Sequence, residues 1–112
     1  MMGPRKAEVW QVDFGGARGH EQKKERPAIV WRDLGHLGLA IVIPFTSTLE
    51  RANMPHTHVV SPNFRNGLET ESVALIFQIV SIDKKRMVKQ LGMLDEPDVS
   101  CVSALLKDLL RV

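Results

Sequence analysis

Helical periodicity occurs once in this chain, and it occurs at the end. Val99, Val102, Leu105, Leu106, Leu109 and Leu110 recur at the spacing of one helical face. Asp95, Pro97 and Asp98 ahead of them make an acidic start with proline in the first turn. Everything earlier is short apolar runs, rich in Val and Ile and broken by Gly, Pro and Asn. A chain built this way must bury strand against strand, with a single helix to cover one side.

The runs can be placed in order. Residues 8–14 alternate so that Glu8, Trp10, Val12 and Phe14 share one face of a first strand. Residues 15–25, with three glycines and a dense polar tail, form a long loop. Residues 26–31 and 37–45 suit adjacent antiparallel strands joined by a turn around Asp33, Leu34, Gly35 and His36, with Pro27 at a strand start where no ladder N–H is needed. Residues 56–60 alternate again, and Asn66-Gly67 marks the strongest turn of the connection that follows. Residues 72–82 are the most apolar stretch and read as one central buried strand; residues 88–94 make a last short one. The fold expected is mainly β (α+β): an SH3-like small barrel of bent antiparallel strands with a C-terminal α-helix.

Size and charge limit the rest. A chain of 112 residues has room for one core, so a single domain over 1–112 is expected. The net charge of +2 is too small for a nonspecific nucleic-acid coat, so any nucleic-acid site must be local. The one cysteine, Cys101, excludes an intramolecular disulfide and reads as a small buried filler on the helix, which fits a reducing cytoplasm. The N-terminus runs into an amphipathic strand rather than an apolar signal core, and no run reaches the length of a membrane span.

Two stretches carry chemistry. Glu25-Arg26-Pro27-Ala28-Ile29-Val30 opens one strand and Ile43-Pro44-Phe45-Thr46-Ser47-Thr48 closes the next, so a guanidinium and two threonine hydroxyls can meet at neighbouring strand ends. A guanidinium binds phosphate bidentately, and a nearby hydroxyl holds one more phosphate oxygen, so the pair suits a phosphodiester. Against this stand the plain readings: a surface arginine before a strand, and a Thr46-Ser47-Thr48 turn that satisfies its own backbone.

With these residues in place, the chain resembles the PemK/MazF family of toxin endoribonucleases of type II toxin-antitoxin systems along nearly its whole length. The resemblance rests on Ala7-Glu8-Val9-Trp10-Gln11-Val12-Asp13-Phe14, Gly19-His20-Glu21-Gln22, Arg26-Pro27-Ala28-Ile29-Val30, Ile43-Pro44-Phe45-Thr46-Ser47, Gln78-Ile79 and Ser81-Ile82-Asp83-Lys84-Lys85-Arg86, in that order. It implies an SH3-like barrel, a homodimer, and metal-independent cleavage of single-stranded RNA, including mRNA, at short sequences. It also implies a cognate antitoxin that holds the toxin inactive. Arg26 and Thr46 fall on the family's catalytic arginine and threonine, and products ending in 2′,3′-cyclic phosphate and 5′-hydroxyl are expected.

Supporting roles follow from position. Glu21 and Gln22 can orient Arg26 or read a base edge, His20 is the other proton carrier of that loop, and Ser47 and Thr48 extend the hydroxyl cluster. Gln78 is a supporting partner, and Lys84, Lys85 and Arg86 form a basic turn able to meet RNA backbone. Phe77 and Val80 stand where family members often carry an acidic residue and an arginine, which points to altered specificity. Trp10 and Trp31 read as packing. His56 and His58 share a side of their strand, but no third ligand follows at zinc spacing. They read as an exposed polar face with Thr57 and Val59 packed inward; neither metal nor cofactor is expected. The rival readings on the same barrel are a non-enzymatic gyrase poison and a catalytically silent binding module.

Overall fold

The computed structural model describes residues 3–15 and 25–112. The expected loop of residues 15–25, and with it His20, Glu21 and Gln22, lies almost wholly outside the described residues. Those that are described form seven strands and one α-helix: β1 Glu8–Asp13, β2 Glu25–Asp33, β3 Leu39–Thr46, β4 Thr57–Val60, β5 Ser72–Leu75, β6 Val80–Asp83, β7 Met87–Met93 and α1 Glu96–Leu110. All strand pairings are antiparallel, in the order β4-β5-β3-β2-β1-β7, with β6 also paired to β3.

The strands read as unbroken apolar runs because the sheet is covered on both sides. Val9, Ile29, Ile43 and Phe45 face a first core with Val102 and Leu106 of α1. Val12, Ala28, Val30, Ala40 and Val42 alternate with them into a second core with Ile82. Trp10 and Phe14 pack on that second core beside Val12, so the face expected for the first strand is present. Glu8, at its start, is buried and accepts hydrogen bonds from Trp10 Nε1 at 2.9 Å and the Arg5 amide at 3.0 Å.

Three expectations are corrected. Residues 72–82 are not one strand: β5 and β6 are separated by a 3-10 turn at Ile76–Gln78. Both halves pair with β3. Carried back from Phe45↔Ala74, the register of β5 would set Phe77 against Val42, but Val42 meets Val80, three residues on. The turn absorbs those three residues and takes Phe77 and Gln78 out of the ladder, a change of partner register to which hydrophobicity is blind. Cys101 is exposed rather than buried. It sits about 100° around the helix from Val102, off the face that packs.

The third concerns β4. Val59 is 41% exposed, whereas the two histidines turn toward the helix. His58 Nε2 lies 2.8 Å from Asp98 Oδ1, and His56, just before the strand, places its Nε2 2.8 Å from Asp108 Oδ2, so both histidines form a polar seam to α1.

Candidate active site

The central hairpin carries two of the candidate residues to neighbouring strand ends. β2 and β3 pair Ala28 with Pro44, Ile29 with Ile43 and Val30 with Val42. Continued two residues beyond its last pair, Ala28 and Pro44, this register would set Arg26 opposite Thr46. Side chains opposite each other on antiparallel strands share a face. Arg26 is held on its other side by β1, where it pairs with Val12.

A groove of about 860 Å³ opens at these strand ends. Its apolar lining is Pro27, Phe45, Leu68, Val88 and Leu91; its polar lining includes Gln11, Glu25, Arg26, Thr46, Ser47, Thr48, Glu69, Thr70 and Lys89. Arg26, Thr46, Ser47 and Thr48 are thus brought together. The Thr46 hydroxyl oxygen accepts the Thr48 amide at 3.2 Å, the local turn anticipated as a plain reading. That bond occupies a lone pair and leaves the O–H proton free to be donated, so the same turn that satisfies the backbone also prepares a donor.

One wall of the groove is Gly67, Leu68, Glu69 and Thr70. A buried Asn66 holds it: the side-chain carbonyl accepts from the Leu68 amide at 3.0 Å and the Asn63 amide at 3.2 Å, and the side-chain NH₂ donates to the Ser61 carbonyl at 3.0 Å. Gly67 follows in the left-handed region, φ 71°, where a Cβ would collide with the Leu91 carbonyl. The Asn-Gly marker read from sequence is therefore part of the site's frame.

Other sequence candidates lie elsewhere. Gln78 is exposed at the end of the 3-10 turn and does not line the groove. Lys84, Lys85 and Arg86 occupy a 3-10 turn before β7 and do not line it either. Lys84 Nζ binds Asp33 Oδ1 at 2.6 Å, and Arg86 donates to the Asp13 carbonyl at 3.2 Å. The Lys84 hydrogen bond, aided by the Gly35 amide, holds the Asp33 carboxyl below the ordinary carboxylate value. Among the described residues, no group of three or more His, Cys, Asp or Glu gathers as a metal site. Among the same residues, no helix is long and apolar enough to cross a membrane.

The groove also holds residues that sequence reading passed over. Glu69, Thr70 and Lys89 come from chain far from Arg26, and nothing in their spacing announces it. Gln11 alone had a visible signal, since it lies in the first strand beside the arginine's.

The fold and groove can now be set beside known proteins. The family of PemK-like, MazF-like toxins of type II toxin-antitoxin systems matches residues 5–110. The chain belongs to this family. Within it, the chain is 35% identical over 95 residues to the endoribonuclease EndoA of Bacillus subtilis, covering 82% of this chain and 81% of that protein. The crystal structure of MazF from Deinococcus radiodurans superposes with a TM-score of 0.78 at 25% identity, covering 97% of each chain. An endoribonuclease from a mycobacterial species, solved in complex with its cognate antitoxin, shares the fold with a TM-score of 0.75 at 16% identity. That alignment covers 98% of this chain and 97% of the other. The bent antiparallel sheet with one C-terminal helix is the family's fold.

Proposed function

We propose that the protein cleaves single-stranded RNA at the groove between Arg26 and Thr46, without a metal ion. Its family and its curated relatives make it a toxin endoribonuclease of a toxin-antitoxin system. The observation that supports the finer reading is that Arg26 and Thr46, at neighbouring ends of β2 and β3, line one groove of about 860 Å³.

The chemistry follows from the residue types. The 2′-oxygen of the preceding ribose attacks phosphorus, its proton leaves, and the P–O5′ bond breaks as the 5′-oxygen gains a proton. The products end in 2′,3′-cyclic phosphate and 5′-hydroxyl. Charge grows on the nonbridging oxygens during this step, where Arg26 supplies a forked cationic donor and Thr46 a neutral one. A guanidinium keeps its charge at ordinary pH, so Arg26 acts as a charge stabiliser rather than a proton carrier. Of the described groove residues, the carboxylates Glu25 and Glu69 can take up a proton.

In the cell this activity destroys mRNA and arrests translation and growth, in the cytoplasm where that RNA is found. A cognate antitoxin opposes it, as for the mycobacterial relative solved with its own, and the active form is a homodimer.

The test is digestion of a long single-stranded RNA by purified protein in excess EDTA, with mapped product ends and an Arg26→Ala control. Cuts at a recurring short sequence, absent in the control, support the reading. An intact RNA with folded wild-type protein turns the search to non-enzymatic targets, DNA gyrase first.

A further inference from the structure

The groove contains a second cation that the cleavage chemistry does not use. Lys89 lies on β7 and is exposed, and among the described residues its side chain has no hydrogen bond and no ion pair, although Glu25 and Glu69 line the same groove. Its position is set by pairing. Gln11 on β1 is opposite Pro27 on β2 and opposite Lys89 on β7, and all three line the groove.

One step along β1, Val12 pairs with Arg26 on one side and Met87 on the other, so the register with β7 shifts by one residue at Val88. Such an extra residue disturbs the strict alternation of side chains and re-aims those beside it. Here two consecutive residues, Val88 and Lys89, both reach the groove.

We infer that Lys89 is a positioning residue that grips a phosphate flanking the scissile one. The backbones of β2 and β7 are two strand spacings apart, roughly 10 Å. Arg26 and Lys89 therefore stand on strands to either side of β1, and both reach the one groove that the RNA would occupy. An ammonium is a compact, hydrated point charge without the planar fork that reads a base edge bidentately, so the contact carries affinity rather than sequence. The inference rests on the proposed RNA cleavage.

The experiment compares wild type, Lys89→Gln and Lys89→Arg. The first readout is the salt dependence of binding to a 2′-O-methyl oligonucleotide spanning a mapped cut site. The second is steady-state cleavage of the matching RNA, which gives KM and kcat separately. Lys89→Gln is expected to weaken binding about fivefold, and the plot of log affinity against log salt flattens by about 0.7 for one lost phosphate contact. KM rises far more than kcat falls, and Lys89→Arg restores both binding and slope. Binding and slope equal to wild type overturn the inference. So does a loss confined to kcat, which would put Lys89 at the scissile phosphate. A wild type that neither binds nor cuts overturns the underlying reading instead, and with it this one.

Discussion

Lys84 Nζ donates to Asp33 Oδ1 at 2.6 Å, tying the turn before β7 to the end of β2. The same carboxylate oxygen accepts the Gly35 amide at 3.0 Å. Both bonds favour the ionised form, which is why the folded-state pKa lies below the ordinary 3.8.

The sign of the pH effect follows. Below the ordinary value the unfolded chain takes up a proton that the folded chain still refuses, so stability rises with pH in that window. The contribution is complete above the unfolded value. It is lost as pH falls through 3.8 and on toward the lower folded value. Urea unfolding between about pH 6 and pH 3 should show a shallower acid loss for Asp33→Asn than for wild type. Identical slopes would remove Asp33 from the account.

At the site, Thr46→Val removes the hydroxyl donor and should slow single-turnover cleavage by about 100-fold. Thr46→Ser keeps both the donor and the acceptor for the Thr48 amide, and should stay within roughly tenfold of wild type. If valine and serine behave alike, the hydroxyl serves only the turn.

The groove wall offers a test of framing. Asn66→Ala leaves the Leu68 and Asn63 amides without their partner, at a cost of at least about 2 kcal/mol. The urea midpoint should fall accordingly, and cleavage should fall with it even under conditions where the variant is fully folded. Full activity in a folded variant would show that residues 67–70 do not shape the site.

Cys101, being exposed, should react with a thiol reagent in the native protein nearly as fast as in urea. Cys101→Ser should change stability by no more than about 0.5 kcal/mol. Strong native protection from the reagent would contradict the exposed placement.

Local signals carried much of the fold. The stripe from Val99 to Leu109 and the alternation of Trp10, Val12 and Phe14 each report a periodicity that burial obeys, although Leu110, the last residue expected in that stripe, is exposed. The approach of Arg26 and Thr46 to one groove is legible because both sit at ends of strands joined by a short turn. What stayed hidden depends on long-range partners. The break at Ile76–Gln78 arises from two offset registers on β3, and an apolar run looks the same through such an offset. Cys101 is exposed because helical phase, and not the apolar character of its neighbours, decides its burial. The inward turn of His56 and His58 answers to carboxylates on α1, 52 and 40 residues away respectively. Lys89 and Glu69 reach the groove only through tertiary pairing, for which a single sequence holds no mark.

The two cores each have a tryptophan at their edge: Trp31 leans on the one beneath α1, Trp10 on the other. Their surroundings differ in kind, since Lys6 Nζ sits 4.6 Å from the centre of the Trp31 ring and Glu8 holds the Trp10 indole N–H. The chain thereby carries one intrinsic fluorophore for each half of its interior. With Trp10→Phe or Trp31→Phe, the remaining emission becomes a private optical channel to one core, and two such channels reveal whether the halves come apart at one temperature or in succession.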